Sequence, residues 1–252
     1  MLHALTDLQT YALHATDGDL GSVKDLYFDD SDWSVRYLVA NSGFWFFGRD
    51  VLLNADVIGA PDPDKEILPV RLTRDEIKDA PSASSHETVS QRHGHGGLPP
   101  FISRDTTRAL PPYLPLLSMP RLGDDEPLSS FEADIAAAAE RGDPHLRSGA
   151  AIRGYDITAS DGHIGTVDDV IVGVEPWRVR YLAVDTAGWL GERVVVLSVD
   201  WIRGIDHLEK TIAMPLTRQA IKDSPTLNSL KDLGRPFERR LHDALGFAGY
   251  WS

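Results

Sequence analysis

The 252-residue chain contains no cysteine, which removes disulfides, thiolate nucleophiles and cysteine-ligated zinc from the chemistry open to it. Long apolar runs are missing too. No window approaches the ~18 uninterrupted apolar residues of a spanning helix. Met1-Leu2-His3-Ala4-Leu5-Thr6-Asp7 lacks the basic start and apolar core of a signal peptide. A soluble, cytoplasmic protein is therefore expected. Basic residues are in deficit, 25 Lys plus Arg against 38 Asp plus Glu, for a net charge of −13. Such a field repels phosphate backbones and anionic lipid, so nucleic acid and membrane surface are disfavoured partners. The densest basic group, Arg235, Arg239 and Arg240, has Glu238 inside it. No nucleophile elbow, P-loop or dinucleotide fingerprint occurs, and Ser, His and Asp fall in no pattern that marks a triad. The expectation is a protein that is not an enzyme and carries no cofactor.

What is present is a repeat. Tyr11 to Pro81 aligns with Tyr155 to Pro225 at an offset of 144 residues, with about a third of positions identical. Asp17-Gly18 meets Asp161-Gly162, Trp33-Ser34-Val35-Arg36-Tyr37-Leu38 meets Trp177-Arg178-Val179-Arg180-Tyr181-Leu182, and Leu72-Thr73-Arg74 meets Leu216-Thr217-Arg218. The second copy loses one residue near Gly191 and regains it before Asp200.

Each copy reads as short strands. Asp-Gly marks a hairpin turn, here expected as type I′ because glycine accepts its positive φ. Gly21 and Gly165 mark a bulge or bend inside an alternating stretch. Val35 to Ala40, Val51 to Leu53, Val179 to Val184 and Val194 to Val199 are rich in β-branched and aromatic residues, and Lys65 to Val70 and Lys210 to Met214 supply a last strand. Thr73-Arg74-Asp75-Glu76 fits a capping box, and Pro81 or Pro225 stops the short helix that follows. Five or six short strands in about 70 residues predict a small, highly curved sheet or barrel. A linker separates the copies: it is polar and Gly/His-rich from Ser82 to Gly97, then proline-studded to Pro127, with one helix predicted from Ser129 to Gly142. A last helix is predicted to start at Pro236 and end at Gly246. The expected domains are copy one at 1–81, linker at 82–149, and copy two with its terminal helix at 150–252.

Gly154-Tyr155-Asp156-Ile157, Ser160-Asp161-Gly162, Gly165-Thr166-Val167-Asp168-Asp169, Trp177 to Asp185 and Trp201-Ile202, with the matching residues of copy one, resemble the PRC-barrel. Asp143 to Ser148 and Gly249-Tyr250-Trp251 resemble the bacterial two-copy branch of that family. The resemblance implies a mainly β chain of two tandem small PRC-barrel-like β-barrels, with short helices in the linker and at the C-terminus. The family also occurs in the cytoplasmic domain of the photosynthetic reaction-centre H subunit and the C-terminal domain of a ribosome-maturation factor. This implies a docking module, and by analogy an accessory factor of a photosynthetic or ribosomal complex.

Residues kept in both copies are most simply kept for the fold, which places Trp33, Arg36, Tyr37, Trp177, Arg180 and Tyr181 in structural roles. The arginines are expected to pair with a strand-adjacent acid, with Asp25/Asp169 and Asp56/Asp200 as candidates. Asp29-Asp30-Ser31-Asp32 and Asp124-Asp125-Glu126 lack the spacing of a calcium loop and read as solvated turns. His93-Gly94-His95 with His86 offers imidazole ligands for zinc or nickel, or is incidental linker histidine, and no metal site is assigned. The copies differ most at Gly43-Phe44-Trp45-Phe46-Phe47-Gly48 and Gly188-Trp189-Leu190-Gly191. Four adjacent aromatics cannot all be buried by a strand that alternates faces. Trp45, Phe46, Phe47, Trp189 and Leu190 are therefore candidate partner contacts, with packing under the linker as the alternative. The function expected is a protein-interaction or scaffold module, through a protein partner or a homodimer. A ligand- or metal-binding protein is the alternative.

Overall fold

The computed structural model describes residues 1–41, 50–78, 145–186 and 194–251. The predicted linker helix, the linker histidines, Asp124 to Glu126 and the aromatic segments at 43–48 and 188–191 lie outside the described residues. The chain is mainly β. The first repeat runs through β2 (Ala12–Ala15), β3 (Gly18–Asp29), β4 (Val35–Asn41), β5 (Asp50–Asn54), β6 (Ile67–Pro69) and helix α2 (Arg74–Lys78). The second runs through β8 (Asp156–Ala159), β9 (Gly162–Val174), β10 (Trp177–Asp185), β11 (Val195–Ser198), β12 (Gly204–Asp206), β13 (Thr211–Ala213) and α4 (Arg218–Asp223), followed by α5 (Arg235–Leu245). An arm precedes each repeat: β1 (Leu2–Ala4) with α1 (Leu5–Leu8), and β7 (Leu146–Ser148) with α3 (Gly149–Ile152).

Two sheets form, in the orders β5-β4-β3-β2-β6 and β11-β10-β9-β8-β13-β12. In both, the last strand of the repeat returns beside the first and pairs with it in parallel, Leu13 against Leu68 and Ile157 against Ile212. Short strands were expected after the Asp-Gly turns, but β3 and β9 run for 12 and 13 residues. Their first halves alternate in burial, and their second halves are buried almost continuously, as at Val170, Ile171 and Val172. An apolar run covered on both faces carries no period of two.

Local chemistry explains the turns and caps. The register slips between Leu13 and His14 on β2, and between Ile157 and Thr158 on β8, which puts a bulge beside Gly21 and Gly165 as expected. The Asp-Gly dipeptides do turn the chain, but not as type I′ turns. Thr16 and Asp17 form the loop without positive φ, and Gly18 follows at φ 143°. The aspartate is held elsewhere. Asp17 Oδ1 accepts the Arg74 backbone N–H at 2.8 Å and Asp161 Oδ1 that of Arg218 at 2.7 Å, tying each turn to the helix closing its repeat. Thr73 and Glu76 complete the predicted capping box around α2. Gly246 ends α5 in the left-handed region at φ 74°.

Contacts group the chain into two compact units. Unit 2 holds Ala12–Lys24 and Arg36–Leu146. Unit 1 holds Met1–Tyr11, Asp25–Val35 and Arg147–Ser252, so it gathers pieces of both repeats. The reason is an exchange of arms. β1 lies antiparallel on β9, Leu2 opposite Gly173 and Ala4 opposite Ile171, while β7 pairs with β3. Each long strand receives its arm with a buried carboxylate. Asp169 accepts from the Thr6 backbone N–H, the Thr6 hydroxyl and the Val170 N–H. Asp25, its equivalent, accepts from the Ala150 and Leu26 N–H groups and the Ser148 hydroxyl. Within the same unit Ser34 bridges Arg178, the same position of the other repeat.

Two expected outcomes follow. A Cβ built on Gly165 would stand 1.9 Å from the Asp185 carbonyl oxygen, whereas one on Gly204 meets nothing within 4 Å. Gly165→Ala is expected to destabilise unit 1 by about 3 kcal/mol in chemical denaturation, and Gly204→Ala to change it little. His3 on β1 is buried, and that burial, aided by the N-terminal ammonium, holds its imidazole below the usual histidine range. The unfolded chain takes up a proton near pH ~6.5 that the folded chain resists, so stability falls as pH drops below that value. Denaturation midpoints at about pH 7.5 and about pH 5.5 are expected to differ less in His3→Phe than in the wild type.

Candidate interaction site

The C-terminal helix is fixed to β10 by a buried polar network. Arg235–Leu245 turns Phe237, Glu238, Leu241 and His242 inward, one face of a helix at the spacing i, i+1, i+4, i+5. Glu238 is 2% exposed, and its Oε1 accepts the hydroxyls of Tyr181 at 3.0 Å and Tyr250 at 2.8 Å. Its Oε2 lies 3.3 Å from the Arg235 guanidinium. A carboxylate taken out of water at this depth is tolerated because its acceptor sites are filled. His242 Nδ1 lies 2.9 Å from the Ala248 carbonyl oxygen and Nε2 3.0 Å from the Tyr181 hydroxyl. A carbonyl only accepts, so Nδ1 carries a hydrogen. Burial, and then Glu238 through its charge and its hydrogen bonds, raise the pKa of both phenols above the ordinary tyrosine range, keeping them as donors.

The turn at Gly246 carries the tail back over this network. Phe247 stacks on Trp201 at 4.8 Å, and Trp251 meets the His242 ring edge-on at 4.9 Å. Two guanidiniums cover the outer side. Arg180 lies 4.0 Å and Arg235 4.9 Å from the Tyr250 ring centre, and Arg235 lies 4.4 Å from that of Trp251. Tyr250, Trp251 and Phe247 remain half-exposed. The result is a platform of aromatic faces and arginines standing on a rigid floor. Desolvation, and then the like charge of Arg178, lower the tendency of Arg180 to hold its proton, although a guanidinium stays cationic.

The residues singled out in the sequence fall as follows. Tyr181 and Arg180 belong to this site. Trp177 is half-exposed on β10, and Trp33 is buried, stacked 5.3 Å from Phe28 with φ 62°. Tyr37 is buried and Arg36 half-exposed on β4. Trp45, Phe46, Phe47, Trp189 and Leu190 lie outside the described residues. Two expectations need correction. Asp169 does not pair with Arg180. It caps the arm instead, while Asp200 meets Arg178 at 3.2 Å and Arg180 lies on Tyr250. Asp30 is not a solvated turn residue. Its Oδ2 receives Arg147 Nε at 2.7 Å and His207 Nε2 at 2.8 Å, with side chains 10% and 24% exposed. Both partners lie more than 100 residues away in the chain, beyond any local reading. Glu238 and His242 were also missed. Their spacing of four on an arginine-rich helix is the one signal they leave in the sequence.

The family model for the PRC-barrel domain matches residues 3–77 and 145–220. The chain belongs to the PRC-barrel family. One match begins within β1 and the other one residue before β7, so the arms are part of the PRC-barrel pattern, while α5 and the Tyr250–Trp251 tail lie beyond it. Comparison with curated proteins gives no match. PRC-barrel domains form a family of protein-interaction modules, and among the described residues no helix of this one is long and apolar enough to cross a membrane.

Removing Glu238 tests the floor of the site. Glu238→Ala leaves the buried Tyr181 hydroxyl, the half-exposed Tyr250 hydroxyl and Arg235 without this acceptor, and is expected to cost about 3 kcal/mol of stability. The readout is chemical denaturation followed by tryptophan fluorescence. Glu238→Gln, which keeps an acceptor oxygen, is expected to lose less.

Proposed function

We propose that this PRC-barrel protein is a non-enzymatic scaffold that binds a protein partner or a second copy of itself through the Arg180–Arg235–Tyr250–Trp251 platform. One observation carries the reading. Half-exposed aromatic rings and guanidiniums stand on a hydrogen-bonded floor built on the buried Glu238 and Tyr181, the residue types that anchor interfaces. Rigid anchors lose little conformational freedom on binding, which is what lets a small patch hold a partner. The internal uses of the titratable groups favour a scaffold over an enzyme: Asp25 and Asp169 cap arms, and Glu238 and His242 hold a helix. A metal-binding role is disfavoured at Asp30, whose carboxylate oxygen already faces Arg147 and His207. The segments with Trp45, Phe46, Phe47, Trp189 and Leu190 are further proposed contacts.

The test is native mass by light scattering over a range of concentrations. The wild type is compared with Arg180→Ala/Trp251→Ala and with Trp45→Ser/Phe46→Ser. The expected result is a wild-type dimer, or a defined complex with a captured partner, that the first variant dissociates while its circular dichroism is unchanged. Assembly unaffected by Arg180→Ala/Trp251→Ala removes the platform, and a wild type that stays monomeric and captures nothing overturns the scaffold reading.

A further inference from the structure

The two arms are built alike but differ in sequence, and two of the differences bear on where each one docks. In the second arm Arg147 is 8% exposed, and it meets Asp30, the residue that follows β3. The equivalent positions, 144 residues apart, are His3 in the first arm and Val174 on β9. The second difference is size. Leu5 of the first arm corresponds to Gly149 of the second, and these two positions touch: a Cβ on Gly149 would stand 3.0 Å from Leu5 Cδ2 and 3.1 Å from Leu26. The leucine that opens each arm and the aspartate that caps it are shared, and the capping hydroxyl comes from Thr6 in one arm and Ser148 in the other.

We propose that Asp30–Arg147 and Leu5–Gly149 are keys that assign each arm to the other repeat's sheet, so that the two halves of the chain are obligate, non-identical partners of each other. The ionic key works by exclusion. An arm carrying Arg147 laid on β9 would have Val174 at the place of Asp30. A guanidinium buried without its carboxylate is strongly disfavoured, far more than a complete pair is favoured. The steric key works the same way. Two first arms would bring leucine against leucine where the fold leaves room for a leucine and a glycine. The shared carboxylates Asp25 and Asp169 supply attraction to either arm and therefore cannot discriminate. Selection rests on what each wrong pairing would leave orphaned or overlapped.

The experiment uses the full chain with a protease site placed between residues 82 and 143, cut after folding. The expected result is that the two pieces co-elute at the mass of the uncut protein at low micromolar concentration. Asp30→Val is expected to weaken their association by at least about a hundredfold. Adding Arg147→His, which gives the second arm the residue of the first, is expected to restore most of it, because the orphaned charge is gone. Gly149→Leu is expected to weaken association independently of the ionic pair. Wild-type pieces that separate would overturn the proposal. So would an Asp30→Val piece that binds as the wild type does, or a double variant as weak as the single one. The uncut variants give the same comparison by chemical denaturation, in which a double variant no more stable than Asp30→Val also overturns it.

Discussion

The buried carboxylates of Asp25 and Asp169 are the interaction on which unit 1 depends. A short helix opens with backbone N–H groups that have no partner within it, and a buried carboxylate is costly until its oxygens are filled. Each supplies what the other lacks. Asp169 takes the Thr6 N–H and hydroxyl, and Asp25 takes the Ala150 N–H and the Ser148 hydroxyl. The hydroxyl comes from a different arm position in the two cases, while the backbone N–H comes from the same one. The backbone contact is thus the invariant, and the hydroxyl fills the remaining lone pairs from whichever position reaches. Burial outweighs these bonds for Asp169 and raises its pKa above the ordinary carboxylate range. By linkage, a carboxyl with a raised folded-state pKa lowers stability as pH rises through that value. The carboxylate anchors an arm at that cost, and the arm is what makes the end of β3 and the second repeat one compact unit.

How much of this was legible depended on the range over which each signal acts. The repeat, the capping box at Thr73–Glu76 and the stop of α5 at Gly246 are local, and the sequence displays them. The arms are not legible. Leu2–Ala4 and Leu146–Ser148 are three residues each, too short to show a period, and their partners lie in the other repeat. The second halves of β3 and β9 were hidden by their continuous burial. A subtler case is the turn before β6 and β13, where Glu66 and Lys210 both take a positive φ near 50°. Neither is glycine, so no residue type advertised the conformation. It shows only in the structure, where Asp62 and Asp206 hold the preceding backbone through equivalent bonds. The candidate site was half visible. Tyr181, Arg180 and the terminal Tyr250–Trp251 stood out in the sequence, whereas Glu238, which joins them, was read as an interruption in a basic cluster.

That last case marks the limit of reading a duplicated chain by its identities. A residue present in both repeats is most simply there because both must fold, and by that logic Arg180 and Tyr181 carry no more than Arg36 and Tyr37. Yet the second repeat is followed by α5 and its tail, and there the same pair meets Glu238, His242 and Tyr250. Identity of residue does not fix identity of role, since the role is set by what the rest of the chain brings alongside. The charge pattern makes the same point. On a chain with a net charge of −13, guanidiniums have acids in abundance to pair with, and Arg178 and Arg147 do so. Arg180 lies over the Tyr250 ring, where the aromatic face stabilises a planar, weakly hydrated cation beside the charge of Asp200.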